Sequence, residues 1–589
     1  MALFTPSASP AVTVKEIDLT GVVPNVQTST GAFVGNFGWG PVGQATLVSD
    51  ETGLVSTFSA PTDANTVDFH SAAYFLRYSN SLYVVREQDS DGVNAVANHT
   101  SLGSLTAQAI NNLDAFEDLS LDSSDGAFIA KYPGELGNSL KISVVGTDSS
   151  GGSSVNFNAW AYKSSFDGAP GTSSFVSALG GSNDEIHVAI IDEDGNISGT
   201  AGTVLETFPY LSVAANAKAS DGTSNYYKDV LKLRSAWVYA GDFHTGDSDA
   251  VSDFVGANWG NNATTAGEDF ATGQNFSATE STWSFTSGVT SSSLGTDDVL
   301  RGFDKFEDKD NIEVDFLIAP ESIADITATT VVNDLVAIAG TTRKDCVAVA
   351  SPSRNAAITV GTNAGVLVCN NTYTKSSYLV QDNNYLKVFD KYNDKYIKIP
   401  ANSSTAGLMA ATDLVAAPWF SPAGSRRGRY LGITDIVLSP TKAERDALYK
   451  AGINPIANIP GEGIMLFGDK TNESRPSAFD RINVRRLFLG VERAISVAGR
   501  NVMFEFNDEF TRAEFVNIVE PFLREIQGRR GITDFRVVCD ETNNTPAVVD
   551  RNEFIASIFI KPARSINYVT LNFVAVRTGV EFEEVVGTV

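Results

Sequence analysis

Apolar and polar positions fall into three textures along this chain. Near its start, Ala11–Leu19 (AVTVKEIDL) alternates with period two and predicts a strand, yet no hairpin partner follows before Gly21. Gly31–Val34 reads as a buried strand closed by glycine turns, Phe69–Tyr78 as a short helix, and Ser81–Arg86 (SLYVVR) as the next strand. That order predicts an α/β unit. Between residues 87 and 315, Ser, Thr, Gly, Asn and Asp dominate, with short apolar runs among them. His187–Gly199 (HVAIIDEDGNISG) predicts a hairpin around an Asp-Gly turn, within a turn-rich, mostly β region whose polar loops face solvent.

Regular patterning then returns. Val314–Pro320 and Asp345–Pro352 predict strands, with a helix over Val331–Ala339 between them, while Gln381–Trp419 reads as loop-rich. Ser439-Pro440 predicts a helix start and Gly452 its stop. Thr511-x-x-Glu514 has the form of a capping box, and Phe515, Ile518, Val519, Phe522, Leu523 and Ile526 follow on one helical face. Pro521 removes one backbone donor, which predicts a kink; Arg512, Arg524, Arg529 and Arg530 fall on the opposite face. Another helix is expected over Arg481–Ala498, with Ile482, Leu487, Val491 and Ile495 inward. Strands over Phe535–Cys539, Phe554–Ile560 and Ile566–Val576 close the domain, and Val580, Phe582 and Val585 mark a last extended segment. The fold class expected is mixed α/β (α+β), multidomain, with a mostly β outer domain and extended arms at both ends.

With 589 residues, three or four domains are expected, each able to bury a core. The net charge of −27 is unevenly spread. Residues 438–589 hold 19 basic and 21 acidic side chains, against 24 and 49 in residues 1–437. An acidic exterior argues against nucleic acid as a partner, and the nearly neutral C-terminal part is where tight protein contacts are tolerated. An acidic surface that merely keeps an abundant protein soluble gives the same numbers. No apolar run is long enough for a membrane span, and MALFTPSASPAV lacks the features of a secretory signal, so synthesis in a cytoplasm is expected. Cys346, Cys369 and Cys539 lie far apart in no metal-ligand pattern and read as buried thiols.

Motifs for chemistry fail on inspection. Gly463–Thr471 (GIMLFGDKT) comes close to a phosphate-binding loop, but Asp469 separates Gly468 from Lys470 and would repel phosphate. Asp192-x-Asp194-Gly195 lacks the remaining ligands of a calcium loop. His70, His99, His187 and His244 stand near no nucleophile-elbow serine or cysteine. No cofactor and no enzymatic activity are expected. Two features suit assembly instead. Asp480, Arg481, Arg485 and Arg486 could form ion pairs between subunits, a solvated helix face being the alternative. The unpartnered terminal strands (Val12, Val14, Ile17; Val580, Phe582, Val585) could add to a neighbour's sheet, a frayed terminus being the alternative.

Long words of the sequence carry a resemblance. They include Ser9–Glu16 (SPAVTVKE), Gly35–Gly43 (GNFGWGPVG), Leu82–Arg86 (LYVVR), Ala130–Asn138 (AKYPGELGN) and Trp419–Gly428 (WFSPAGSRRG). The densest are RDALYKAGINPI from Arg445, GDKT from Gly468, FDRINVRRLF from Phe479, VVCDETNNTPAVVDRNEF from Val537 and IKPARSINYVTLNFVA from Ile560. In these words the chain resembles the tail sheath proteins of contractile-tailed bacteriophages. The resemblance implies homo-hexameric rings stacked helically around a tail tube, with baseplate and tail terminator proteins as further partners. It implies a virion component assembled in the host cytoplasm, which contracts to drive the tube through the host envelope. The terminal strands map onto arms that join a neighbour's sheet. The domains so implied are an arm at 1–20, a middle domain at 21–87 plus 316–437, an outer domain at 88–315, a tube-facing domain at 438–577 and an arm at 578–589. Arg524, Arg529 and Arg530 are the candidates for tube contact. Some relatives carry a large insert between the LYVVR and AKYPGELGN words, where this chain has only residues 87–129. The sheath of a headless injection particle is the alternative in the same class; an acidic surface-layer or adhesin protein is the alternative outside it.

Overall fold

The computed structural model describes residues 29–97, 108–119, 126–147, 157–241, 259–264, 275–276, 280–291 and 294–567. The arm expectations at Val12, Val14, Ile17, Val580, Phe582 and Val585 lie outside these residues, as do His99, His244 and most of the strand expected over Ile566–Val576. By packing, described residues 29–417 and 422–485 form one compact unit, and 418–421 with 486–567 form another.

The first unit is organised by a seven-stranded sheet. Its strand order is Ile453–Asn454, Leu379–Asp382, Val347–Ala350, Phe316–Ile318, Gly31–Gly35, Leu82–Arg86 and Ala45–Val48. All neighbours are parallel except the last pair. Parallel strands covered on both faces need continuous apolar runs, which is what LYVVR, FLI and VAVA supply. Ala32, Val34, Leu317 and Ala348 share one core with the helices Thr296–Asp304 and Asp325–Ala337. On Gly31 a Cβ would lie 2.8 Å from the Phe75 ring, so glycine lets the helix Thr66–Leu76 close onto the strand.

Between Leu82–Arg86 and Phe316–Ile318 the chain builds a second, wholly antiparallel sheet. Its order is Thr203–Ser212, Glu185–Asp192, Leu140–Gly146, Ser281–Thr286, Asn94–Ala97, Phe128–Pro133 and Val238–Ala240. Phe128, Ile142, Val188, Ile190, Trp259 and Phe285 fill its core. Arg86 joins the two sheets: its guanidinium is fully buried and donates to the carbonyls of Gly40 (2.8 Å) and Pro133 (2.6 Å).

Several sequence expectations are corrected. The second strand of the 187–199 hairpin begins only at Thr203. Asp192 ends the first strand, and its carboxylate accepts from the backbone of Gly195, Ile197 and Ser198, organising a longer loop than an Asp-Gly turn. Gln381–Trp419 is regular: it contains Tyr385–Asp390, Lys395–Pro400 and the helix Asn402–Val415. Its polar residues are buried where parallel strands end. The Asn402 amide donates to the carbonyls of Ala319 (2.6 Å) and Val349 (3.2 Å), and Asn384 is tied to both backbone groups of Leu438. The helix expected from Ser439 starts at Lys442, capped by Thr441 and Glu444. The strand Ile453–Asn454 pairs with Leu379–Asp382, so residues 438–485 belong to the first unit and the division falls near 486, not at 438.

The second unit packs helix Glu509–Gly528 and the later turns of helix Ile482–Arg500 against a two-stranded sheet, Ile532–Val538 with Ser557–Pro562. Asp508, not Thr511, caps the helix, because its carboxylate accepts from the Thr511 backbone at 2.8 Å. Pro521 lies inside the helix, whose bounds run unbroken past it. The strand expected from Phe554 starts at Ser557, since residues 553–556 serve the loop bonds described below.

Candidate assembly surfaces

The FDRINVRRLF run bridges a short turn and a long helix. Ala478–Asp480 forms one helical turn, and Ile482 is fully buried just beyond it. Arg481 reaches back to Asp469 at 2.9 Å and to the Tyr449 hydroxyl. Asp469 is 4% exposed and Arg481 23% exposed, so their pairing is made largely out of water. Arg485 is buried: it donates to the Ser377 hydroxyl at 2.6 Å, and its guanidinium lies 4.0 Å from the Phe479 ring centre and 4.3 Å from that of Tyr378. Arg486 is buried as well. Arg481 thus pairs within its own chain. Asp480, 3.6 Å from Arg481, keeps a part-exposed carboxylate.

The same contacts explain GDKT. Asn454 accepts from the Lys470 backbone at 2.8 Å, and the lysine ammonium donates to the Tyr449 carbonyl at 3.0 Å. The motif anchors a turn, and Asp469 is the buried acceptor for Arg481. The carboxylate that would repel phosphate has its partner twelve residues on, at a spacing no motif marks. Breaking one side of a buried pair strands the other, at a cost of about 3–5 kcal/mol. We expect Arg481→Ala to lower unfolding free energy by about 3 kcal/mol, since Arg481 is partly wet. Denaturant titration of the purified chain checks this; a loss within error of zero refutes it.

On helix Glu509–Gly528, Phe515, Val519, Leu523 and Ile526 are buried as the periodicity requires. Arg512 is buried with them, not exposed: it donates to the Asn507 side-chain oxygen at 2.9 Å. Arg524 and Arg529 are exposed and pair with Glu520 and Glu525 one turn back, both at 3.5 Å. The Trp419 indole donates to the Arg529 carbonyl at 3.1 Å, a contact that no motif or periodicity marks. Arg530 is exposed at φ 67°, where the helix has ended.

The CDETNNTPAVVDRNEF run is held from within. Asn544 is buried, accepts from the Ile555 backbone at 2.9 Å and donates to the Ile555 carbonyl at 2.9 Å. The Asn507 amide donates to Asn544 and to the Glu553 carbonyl. This loop joins the two strands Ile532–Val538 and Ser557–Pro562. Phe535, Val537, Ile558 and Ile560 pack toward the helices. Among the described residues neither strand has a further neighbour, so both outer edges carry unpaired ladder groups.

The titratable residues do structural work. Burial holds His70 and His187 below the usual imidazole range; His70 pairs with the Thr66 carbonyl, and His187 bonds to Gly168 and Tyr210. The three cysteines are free and buried. Among the described residues no three His, Cys, Asp or Glu side chains are grouped to hold a metal, and no helix is long and apolar enough to cross a membrane.

Comparison with known proteins agrees with this picture. Residues 293–472 match the family model of the phage tail sheath protein central domain, and residues 474–575 that of the phage tail sheath C-terminal domain. The tail sheath protein of Enterobacteria phage T4 is 33% identical, covering 98% of this chain and 99% of the relative. That of Vibrio phage KVP40 is 32% identical with the same coverage. Among solved structures, the sheath tail protein from Listeria innocua shares the fold at TM-score 0.52 and 12% identity, over 91% of this chain and 96% of the other. The one from Desulfitobacterium hafniense does so at TM-score 0.50 and 13% identity, over 94% and 100%. The chain therefore belongs to the tail sheath proteins of contractile phages, and its role is that of a structural subunit of a contractile tail sheath.

Proposed function

We propose that copies of this chain polymerise as stacked sixfold rings around a tail tube, held together by terminal strands that each chain lends to a neighbour's sheet. The observation that carries this is the two-stranded sheet Ile532–Val538 with Ser557–Pro562, whose outer edges have no neighbour among the described residues. Added strands would satisfy those edges. Val12 and Val14 on one segment, and Val580 and Phe582 on the other, alternate as such strands need, with Ile17 and Val585 supplying apolar side chains on the opposite face. Contraction then requires no cofactor and no enzymatic step. Release at the baseplate lets each ring relax into a wider lattice, and small gains repeat at every subunit.

Contacts to the tube must be weak enough to break, and exposed pairs such as Arg524–Glu520 and Arg529–Glu525 are of that kind. We assign Arg524, Arg529 and Arg530 to that surface, and Asp480 to a contact between subunits. The chain works in the virion tail after assembly in the host cytoplasm, with tube, baseplate and tail terminator proteins as partners. Negative-stain imaging of the purified chain tests the reading. Hollow tubular polymers of uniform width are expected; monomers at all concentrations, or fibres without a lumen, would overturn it.

A further inference from the structure

Two exposed patches, one basic and one acidic, both aromatic, have no partner of their own. The first is the outer face of the three-stranded sheet formed by Lys395–Pro400, Tyr385–Asp390 and Asp435–Ile436. Lys387 stands directly opposite Lys398, and Phe389 opposite Tyr396. Like charges facing each other across strands oppose sheet pairing. Neither lysine forms an ion pair among the described residues, although Asp435 lies opposite Lys387 on the third strand. Phe389 is 44% exposed and Tyr396 58% exposed; their rings meet edge to face at 5.3 Å, with the Lys387 ammonium 5.1 Å from the Tyr396 ring centre. The face is a preformed platform of cations over aromatic rings.

The second patch is the loop between helices Ile482–Arg500 and Glu509–Gly528. Phe504, Phe506 and Phe510 are 100%, 83% and 76% exposed, and Phe504 is held at φ 71°, where bulky side chains are rare. Glu505 and Glu509 stand between them, exposed and without an ion pair among the described residues. The loop is anchored at its base, where Asn507 is fixed by Asn544, Glu553 and Arg512. It presents aromatic rings and carboxylates from a fixed position.

We propose that the 503–510 loop of one copy docks on the Lys387–Lys398 face of another copy. Charge and apolar character are complementary: carboxylates meet unpaired ammonium groups, and phenyl rings meet the Phe389–Tyr396 pair. A contact between two different patches of one chain is heterologous, so it propagates from copy to copy, closing into rings where the rotation closes and running on as a helix where it does not. The inference rests on self-assembly into a sheath, and polymerisation of the unaltered chain is the control that separates failure of that reading from failure of this one.

The test is a charge exchange read by light scattering and negative-stain imaging of the full chain. Lys387→Glu with Lys398→Glu, or Glu505→Lys with Glu509→Lys, should each raise the critical concentration for tubes about tenfold or more. All four changes in one chain, or a mixture of the two altered chains, should restore tubes. Either half-exchange polymerising like the parent overturns the proposal. So does failure of the fourfold variant to recover, which would send the patches to separate partners. A half-exchange that forms tubes alone but no longer coats added tail tubes assigns its patch to the tube and equally overturns the pairing. Should a charge variant lose its far-ultraviolet dichroism, the cycle is repeated with Phe389→Ala and Phe504→Ala, both at exposed positions. Coupled effects on critical concentration support the contact, and additive effects overturn it.

Discussion

A chain lacking residues 1–19 is expected to melt like the parent and yet stay monomeric at concentrations where the parent forms tubes. The removed segment contains Val12 and Val14 on one strand face and Ile17 on the other, with no hairpin partner before Gly21. The sheet built from Ile532–Val538 and Ser557–Pro562 has two edges without neighbours among the described residues. About five ladder bonds at about 1 kcal/mol net each would contribute roughly 5 kcal/mol per contact. That is about a thousandfold or more in each association constant, repeated at every joint of the lattice. Among the described residues, the core side chains of both units all lie after residue 28, and a melt close to the parent's is the expected result. Size-exclusion chromatography with light scattering reads the outcome alongside a thermal melt. Val14→Pro should act in the same direction, since proline removes a ladder donor. Normal tubes from the truncated chain would end the account of lent strands.

The second large effect is a fall in stability as pH rises from 5 to 8, traced to Asp382. This side chain is fully buried at the end of strand Leu379–Asp382, and burial pushes its pKa up to about 7 despite bonds from Asn384, Ser351 and Thr405. In the unfolded chain it titrates near 3.8. Between those values the folded chain holds a proton that the unfolded chain has released, so raising pH favours unfolding throughout that window. The stabilisation is complete below the unfolded value and gone once pH passes the folded one. From pH 5 to 8 the loss is on the order of 2–3 kcal/mol. Asp382→Asn is neutral at both ends, and its amide can donate to the Thr405 hydroxyl, which can itself donate to the Ala401 carbonyl. Subtracting the variant's pH profile from the parent's isolates this one group from the rest of an acidic protein. Parallel profiles would refute the assignment.

Much of the first sheet was legible because its strands are short apolar runs bounded by prolines and glycines. Gly31–Gly35, Leu82–Arg86, Phe316–Ile318 and Val347–Ala350 all fall where hydrophobicity put them. The region after Gln381 was misread because its asparagines, serines and threonines resemble loop residues. Hydropathy cannot distinguish a polar side chain in solvent from one whose bonds are completed by the ends of neighbouring strands, as for Asn384 and Asn402. The same limit applies to the arginines. Sequence spacing marked Arg481, Arg485 and Arg486 as a cluster. It could not show that Asp469, Ser377 and the Tyr378 ring from elsewhere in the chain, with the neighbouring Phe479 ring, would take up two of them. Helix caps shifted by two or three residues for a simpler reason: Asp508 and Thr511 are both good caps, and local geometry chose the earlier one.

The antiparallel sheet leaves the parallel one just after Arg86 and returns through helix Thr296–Asp304. At that seam Glu87 and Arg301 meet at 2.8 Å, so both ends of the excursion are clasped side by side. A module whose two connections enter side by side can be enlarged, trimmed or exchanged while the scaffold beneath keeps its strand order. Evolution could diversify the surface of such a particle at this junction, and an engineer could graft a display cargo there.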